Sequence, residues 1–280
     1  ERRISSGEGT RHLAAKAAER ALAAAGVAPE ELDIIILGTS SPDRNYPSDA
    51  CSVQAAIGAV NAVAFDISAA CAGFIFAMNI VEGFFNAGIY KTALIIGAET
   101  LSKVTDWNDR GPCVLFGDGA GAAVLKAEET GIIDMMMGAD GTKGDVLACT
   151  SRTVGNFLTG TKPELGFMTM DGQEVFKFAV RKVPESVLEL LSRTGTKKED
   201  IKYYVLHQAN ERIIEAAARR LKEPMEKFPM TISQFGNTST ASIPLLLDDM
   251  IRKDMLKRGD KIIMSGFGAG MTWGAVLMEW

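Results

Sequence analysis

The chain has 280 residues, 47% hydrophobic and 23% charged, with a formal net charge of −5, two histidines and four cysteines. That length buries roughly three quarters of the unfolded surface, so a large core forms without disulfide or metal staples. The acidic balance provides no global basic field for nucleic acid, and the cysteines form no CxxC pair, which argues against a metal site and a disulfide scaffold and favours a reducing, cytoplasmic setting. The apolar middle, Ile67 to Val81, is interrupted by Ser, Gly and Asn and falls short of the ~20 apolar residues of a membrane span. The start at Glu1 has no signal-peptide pattern and no initiator Met, so an incomplete N-terminus is expected.

In chain order, residues 10–25 are rich in helix formers and stop at Gly26, a C′ glycine. Asp33 to Leu37 reads as a buried strand, followed by a helix around Ala50 to Ile57, a strand at Ala62 to Ile67 and a helix from Cys71 to about Asn86. Ala93 to Gly97 is the next strand. Short apolar runs alternating with helices predict an α/β protein with a largely parallel sheet covered on both faces.

The second half repeats the first. Asp33-Ile-Ile-Ile-Leu-Gly38 is matched 169 positions on by Lys202-Tyr-Tyr-Val-Leu-His207, and Leu94-Ile-Ile-Gly97 is matched at the same offset by Ile263-Met-Ser-Gly266. Each half closes on a similar strand, Ala123-Val124-Leu125 and Ala275-Val276-Leu277. Two related halves are expected, residues 1–138 and 171–280, joined by a Gly- and Thr-rich excursion at 139–170. In such sheets chemistry gathers beyond the carboxyl ends of strands. Those places are the exits after Ile67, Leu206 and Ser265, and the loop before the helix near Thr240.

Cys71 lies where a strand hands over to a helix, among Ala69, Ala70, Ala72 and Gly73. A thiol at a helix N-terminus is expected to have a lowered pKa, and the tiny neighbours admit a substrate; the competing reading is a small core filler. Cys51, Cys113 and Cys149 lack that setting. His207 closes an apolar strand, whereas its counterpart in the first half is Gly38 and His12 lies on an Ala-rich helix. Asn237 sits in Gln234-Phe-Gly-Asn-Thr-Ser-Thr-Ala-Ser242, which alone reads as a turn and a cap. Glycines crowd Ser265-Gly-Phe-Gly-Ala-Gly270, a loop able to aim backbone N–H groups at an oxyanion or simply a tight turn. Gly117-Asp-Gly-Ala-Gly121 imitates a dinucleotide fingerprint but runs into a strand, so it carries no weight.

Six stretches together resemble the β-ketoacyl-acyl carrier protein synthase III family of the thiolase-like superfamily: Ser68-Ala-Ala-Cys-Ala-Gly-Phe74, Asp109-Arg-Gly111, Phe116-Gly-Asp-Gly-Ala-Gly-Ala-Ala-Val124, His207-Gln-Ala-Asn210, Gly236-Asn-Thr-Ser239 and Thr272-Trp-Gly274. The resemblance spans essentially the whole chain. It implies a thiolase-like fold, duplicated halves in α-β-α-β-α layers, with the family's N-terminal strand region missing. It implies a catalytic triad of Cys71, His207 and Asn237, with an oxyanion hole from the N–H groups of Cys71 and Ala269. The implied reaction is acylation of Cys71 by a short acyl-CoA, acetyl-CoA foremost, then decarboxylating condensation with malonyl-acyl carrier protein to begin fatty acid synthesis, with no metal or redox cofactor.

The resemblance also implies a homodimer. Arg110 and Asn210 are expected to meet CoA and its pantetheine, and Tyr46 and Phe267 to bound the acyl pocket, Tyr46 reaching into the partner's. Lys177, Arg212, Arg219 and Arg220 are expected to dock the acidic carrier protein; solvated helix charge is the competing reading. The chain departs from the family pattern at Ala269, where a third successive glycine is usual, and at Tyr46, where Phe is common. Rival readings are a condensing enzyme of polyketide or chalcone type, a degradative thiolase, a hydroxymethylglutaryl-CoA synthase, a non-catalytic carrier-binding homologue and a Cys-His hydrolase.

Overall fold

A computed structural model describes residues 1–280. The first half runs α1 (Thr10–Ala25), β1 (Ile34–Gly38), α2 (Asp49–Ile57), β2 (Val63–Ile67), α3 (Gly73–Asn86), β3 (Thr92–Glu99) and β4 (Gly119–Lys126). It is followed by β5 (Ile132–Ala139), a short hairpin of β6 (Leu147–Cys149) and β7 (Met168–Met170), α4 (Gly172–Thr194), β8 (Ile201–Leu206) and α5 (Glu211–Leu221). The chain ends with α6 (Ile232–Phe235), α7 (Ser242–Arg252), β9 (Lys261–Gly268) and β10 (Thr272–Glu279). Local chemistry sets the limits: Gly26 takes φ 63° and its turn closes on the carbonyls of Ala23 and Leu22, while the Ser48 side chain caps α2 by accepting from the Cys51 N–H.

One sheet has the order β2-β1-β3-β4, the other β5-β10-β9-β8. In each, two neighbouring strands run parallel (β1 with β3, β8 with β9) and the next is antiparallel (β4, β10). Strand alternation distributes the side chains. Ile34, Ile36, Ala93 and Ile95 point to α3 and α7, whereas Ile35, Leu37, Leu94 and Ile96 point to α1 and α2. Val205, Ile262, Met264 and Val276 of the second sheet meet the same α3 and α7, and its other face packs on α4 and α5. The result is a five-layer α-β-α-β-α sandwich with α3 and α7 at its centre. Each fully buried Ile or Leu contributes roughly 1.5–3 kcal/mol, so the shared central layer is a major part of the core. No helix is long and apolar enough to cross a membrane.

The strand pairing corrects the sequence-based boundary at 138/139. β5 crosses it and pairs antiparallel with β10, so its residues belong to the second sheet. Its partner lies more than a hundred residues away, which no local pattern reports. The first sheet has no strand in the place equivalent to β5, and β4 forms its edge. Gly266 and Gly268, read from sequence as loop, are inside β9; the turn begins only at Ala269.

The duplication extends to fine detail. The 3₁₀ turn Ala70–Ala72 leads into α3 and the turn Ser239–Ala241 leads into α7, 169 positions apart. Both begin on a non-glycine residue with left-handed backbone, Ala70 at φ 46° and Ser239 at φ 50°. Such a conformation is uncommon without glycine and concentrates at functional sites.

Candidate active site

The two turns are elbows that face each other. Cys71 is on the first, 7% exposed, and Thr240 is at the equivalent place on the second. The Thr240 hydroxyl lies 2.8 Å from the Ala70 carbonyl, and the Thr272 hydroxyl donates to the Ala69 carbonyl at 2.9 Å, so residues of the second half hold the Cys71 elbow. A Cβ on Gly268 would stand 2.5 Å from the Cys71 nitrogen. Only glycine lets β9 approach that backbone, which brings the Cys71 N–H beside the Gly268–Ala269 corner.

The lowered thiol pKa expected from a helix N-terminus is overturned. Burial dominates and pushes Cys71 up to about 12, the negative charge of Glu99 adds to this, and the Ser239 hydroxyl acts in the opposite direction. His207 follows β8, its N–H donating to the Ser265 carbonyl at 2.8 Å. Burial lowers its pKa to about 3, so the imidazole is neutral. Its Nδ1 lies 2.6 Å from the Ser242 hydroxyl, its ring meets Phe267 edge-on with centroids 5.4 Å apart, and its Nε2 is buried with no partner. Asn237 lies beside Phe116 in a parallel bridge, its N–H donating to the Leu115 carbonyl and its carbonyl accepting from the Gly117 N–H, and its Oδ1 accepts from the Ser239 N–H at 2.8 Å. That bond fixes the amide orientation and leaves Nδ2 as the donor.

Cys71, His207 and Asn237 therefore converge on the end of β9 and the Ser239 turn. The other expected residues are placed as follows. Phe267 is a core residue that packs against the His207 ring. Ala269 is half-buried in the turn after β9, and its carbonyl accepts from the Thr272 hydroxyl at 3.1 Å. Asn210 is partly buried and caps α5 by accepting from the Arg212 N–H, while Arg110 is exposed on the loop before β4. Tyr46 is 85% exposed in the single chain. Lys177 and Arg219 are exposed and each pairs within its own helix, with Glu174 and Glu215; Arg212 is exposed. Arg220 donates to the Val180 carbonyl of α4 at 2.8 Å. Sequence reasoning missed Ser242, Ser239 and Glu99, whose importance lies in bonds across 35 to 140 residues of chain. Glu99 did carry one signal, a carboxylate closing an otherwise apolar strand.

Opposed elbows at the strand exits of a duplicated five-layer sandwich, one bearing a cysteine, with a histidine beside β9 and an asparagine held by the second elbow, define the thiolase-fold class of condensing enzymes. Among family models, 3-oxoacyl-(acyl-carrier-protein (ACP)) synthase III matches residues 65–141 and its C-terminal counterpart matches residues 191–280. The β-ketoacyl-(acyl-carrier-protein) synthase III of Clostridium acetobutylicum is 51% identical over 282 residues, covering 100% of this chain and 87% of the relative. Structures of the corresponding synthases of Aquifex aeolicus and Pseudomonas aeruginosa are similar with TM-scores of 0.92 and 0.91 and identities of 44% and 39%. They are matched over 100% of this chain and 87% and 86% of theirs. The chain belongs to the β-ketoacyl-acyl carrier protein synthase III family of acyltransferases.

Proposed function

We propose that this chain condenses a short acyl-CoA, acetyl-CoA foremost, with malonyl-acyl carrier protein to give a β-ketoacyl-acyl carrier protein. Cys71 is the nucleophile. Ser242 both donates and accepts, so the neutral His207 can present either a lone pair or an N–H at Nε2. The lone-pair form receives the thiol proton as sulfur attacks the thioester and passes it to the departing sulfur, so CoA leaves as its thiol and an acyl-enzyme remains. The N–H groups of Cys71 and Ala269 hold the oxyanion. In the second step the N–H form of His207 and the Asn237 Nδ2 donate to the malonyl thioester oxygen, where charge grows as CO₂ departs; the resulting carbanion attacks the acyl carbon and breaks its bond to Cys71, whose thiolate then takes a proton from solvent. Loss of CO₂ supplies the electron pair, so the chemistry balances without a metal or redox cofactor.

The observation that carries this reading is the buried, unpartnered Nε2 of His207, whose ring packs on Phe267, the residue before the Gly268 that meets the Cys71 nitrogen. A neutral donor there stabilises a developing enolate; a hydrolytic site would need to admit and activate water. Exposed Arg110 receives the CoA nucleotide, and Asn210 lies along the pantetheine path. Lys177, Arg212 and Arg219 dock the acidic carrier protein. Tyr46 projects from the chain to bound the acyl pocket of a second copy in a homodimer.

Incubation with acetyl-CoA followed by intact-mass measurement is the test. A single acetyl adduct is expected on Cys71, discharged as β-ketoacyl product on adding malonyl-acyl carrier protein. Cys71→Ala keeps residual malonyl decarboxylation, whereas His207→Ala or Asn237→Ala suppresses it by roughly two or more orders of magnitude. Discharge to free acid without malonyl carrier protein would overturn the reading.

A further inference from the structure

Glu99 is fully buried at the end of β3. Its Oε1 accepts from the Ser239 and Thr240 hydroxyls, each at 2.9 Å, and its Oε2 from the hydroxyls of Thr39 at 3.2 Å and Ser41 at 2.5 Å. The Ser40 N–H points at both oxygens, at 3.1 and 3.0 Å. Every donor is a hydroxyl or a backbone N–H. The carboxylate therefore binds the loop after β1, in the first half, to the elbow before α7, in the second.

The duplication gives this position a meaning. Glu99 is equivalent to Gly268, the residue whose missing side chain leaves room beside the Cys71 nitrogen. One cleft of the pseudo-symmetric pair is thus open at Cys71 and the other is filled at Thr240 by a carboxylate. Ser239 connects them. Its hydroxyl donates to Glu99 and its N–H holds the Asn237 Oδ1, while the adjacent Thr240 hydroxyl, which also reaches Glu99, lies 2.8 Å from the Ala70 carbonyl beside Cys71.

We propose that Glu99 is a positioning residue of the condensation site: it holds the Ser239 hydroxyl, and through Ser239 it sets the Asn237 amide and the environment of the Cys71 sulfur. The Ser239 hydroxyl donates its proton to the carboxylate, on the turn that faces the Cys71 elbow. Burial is the largest influence on the thiol; beyond it, the Ser239 hydroxyl lowers and the negative charge of Glu99 raises its pKa, so the two act in opposite senses.

The test is the pH dependence of Cys71 alkylation by iodoacetamide, followed on the Cys71 peptide so that Cys51, Cys113 and Cys149 do not contribute. Glu99→Gln preserves shape and removes charge. Its profile moves to lower pH, with alkylation about tenfold faster near pH 8 for a tenfold rise in thiolate fraction. Ser239→Ala moves the profile to higher pH, with alkylation several-fold slower. A residue that only supported the fold would not shift the two profiles in opposite directions. Coincident profiles, or shifts of the same sign, overturn the proposal. If circular dichroism shows Glu99→Gln unfolded, Ser239→Ala decides alone: slower alkylation supports the proposal and an unchanged rate overturns it. The proposal rests on the reading of Cys71 as the nucleophile, yet alkylation needs no thioester. Opposite shifts without acylation by acetyl-CoA would therefore overturn the proposed function and leave the role of Glu99 standing.

Discussion

At the scale of single residues, the site keeps both of its titratable partners neutral. Burial pushes Cys71 up to about 12 and His207 down to about 3, so the resting pair is thiol and imidazole rather than thiolate and imidazolium. This has a consequence for stability. Between the ordinary histidine value of 6.5 and about 3 the unfolded chain binds a proton at His207 that the folded chain does not, so stability falls as pH drops through that window. Thermal melts from about pH 7 to about pH 4 should show a smaller loss in His207→Asn than in the parent. Ser242→Ala leaves Nδ1 buried without a partner, which should cost about 1–3 kcal/mol in urea unfolding and slow malonyl decarboxylation more than acylation. Cys71 and His207 were legible in the sequence because each punctuates an apolar strand. Ser242 and Glu99 were not, because their side chains act on residues brought close only by the fold.

At the scale of elements, α4 explains a residue that sequence alone assigns to docking. Pro184 lies inside this 23-residue helix, and proline has no N–H for the carbonyl of Val180, four residues earlier. Arg220, projecting from α5, donates to that carbonyl at 2.8 Å. Its guanidinium thus supplies the hydrogen bond that proline removed and braces the two helices. Arg220→Ala should destabilise by about 0.5–1.5 kcal/mol. In a Pro184→Ala background the loss should be smaller, a coupling that a double-mutant cycle in urea measures. Charge reversal at Lys177 or Arg212, which make no such bond to a neighbouring helix, should instead raise the KM for malonyl-acyl carrier protein and leave acylation by acetyl-CoA unchanged. A sequence shows an arginine on an amphipathic helix; it does not show the unpaired carbonyl opposite.

At the scale of the whole molecule, the two halves are equivalent in backbone and opposite in chemistry. Cys71, His207 and Gly268 on one side correspond to Thr240, Gly38 and Glu99 on the other. Thr240→Cys would place a thiol on the second elbow, but with glycine where the first has histidine and a carboxylate where the first has space. Acetyl-CoA should still add one acetyl group to that variant, and none when Cys71→Ala is combined with it, as counted by intact mass. The repeat itself was readable because buried strands are short apolar runs whose spacing survives in sequence. The place of β5 was not, since strand partnership is a long-range property and its run of Ile and Met fits either sheet equally well.

The central layer has one more consequence, in the order of synthesis. The inward face of α3, with Phe74, Ile75 and Met78, is covered by the second sheet and α7, all of which follow it in the chain. At ordinary translation rates the ribosome needs on the order of ten to thirty seconds to make the residues that cover it. During that interval the first half is a finished sheet with a bare apolar side. Residues 1–130 produced alone should bind a hydrophobic dye or aggregate. In the living cell the half-made chain is a natural client for a chaperone, and a neighbouring nascent chain with the same exposed layer is its most dangerous companion.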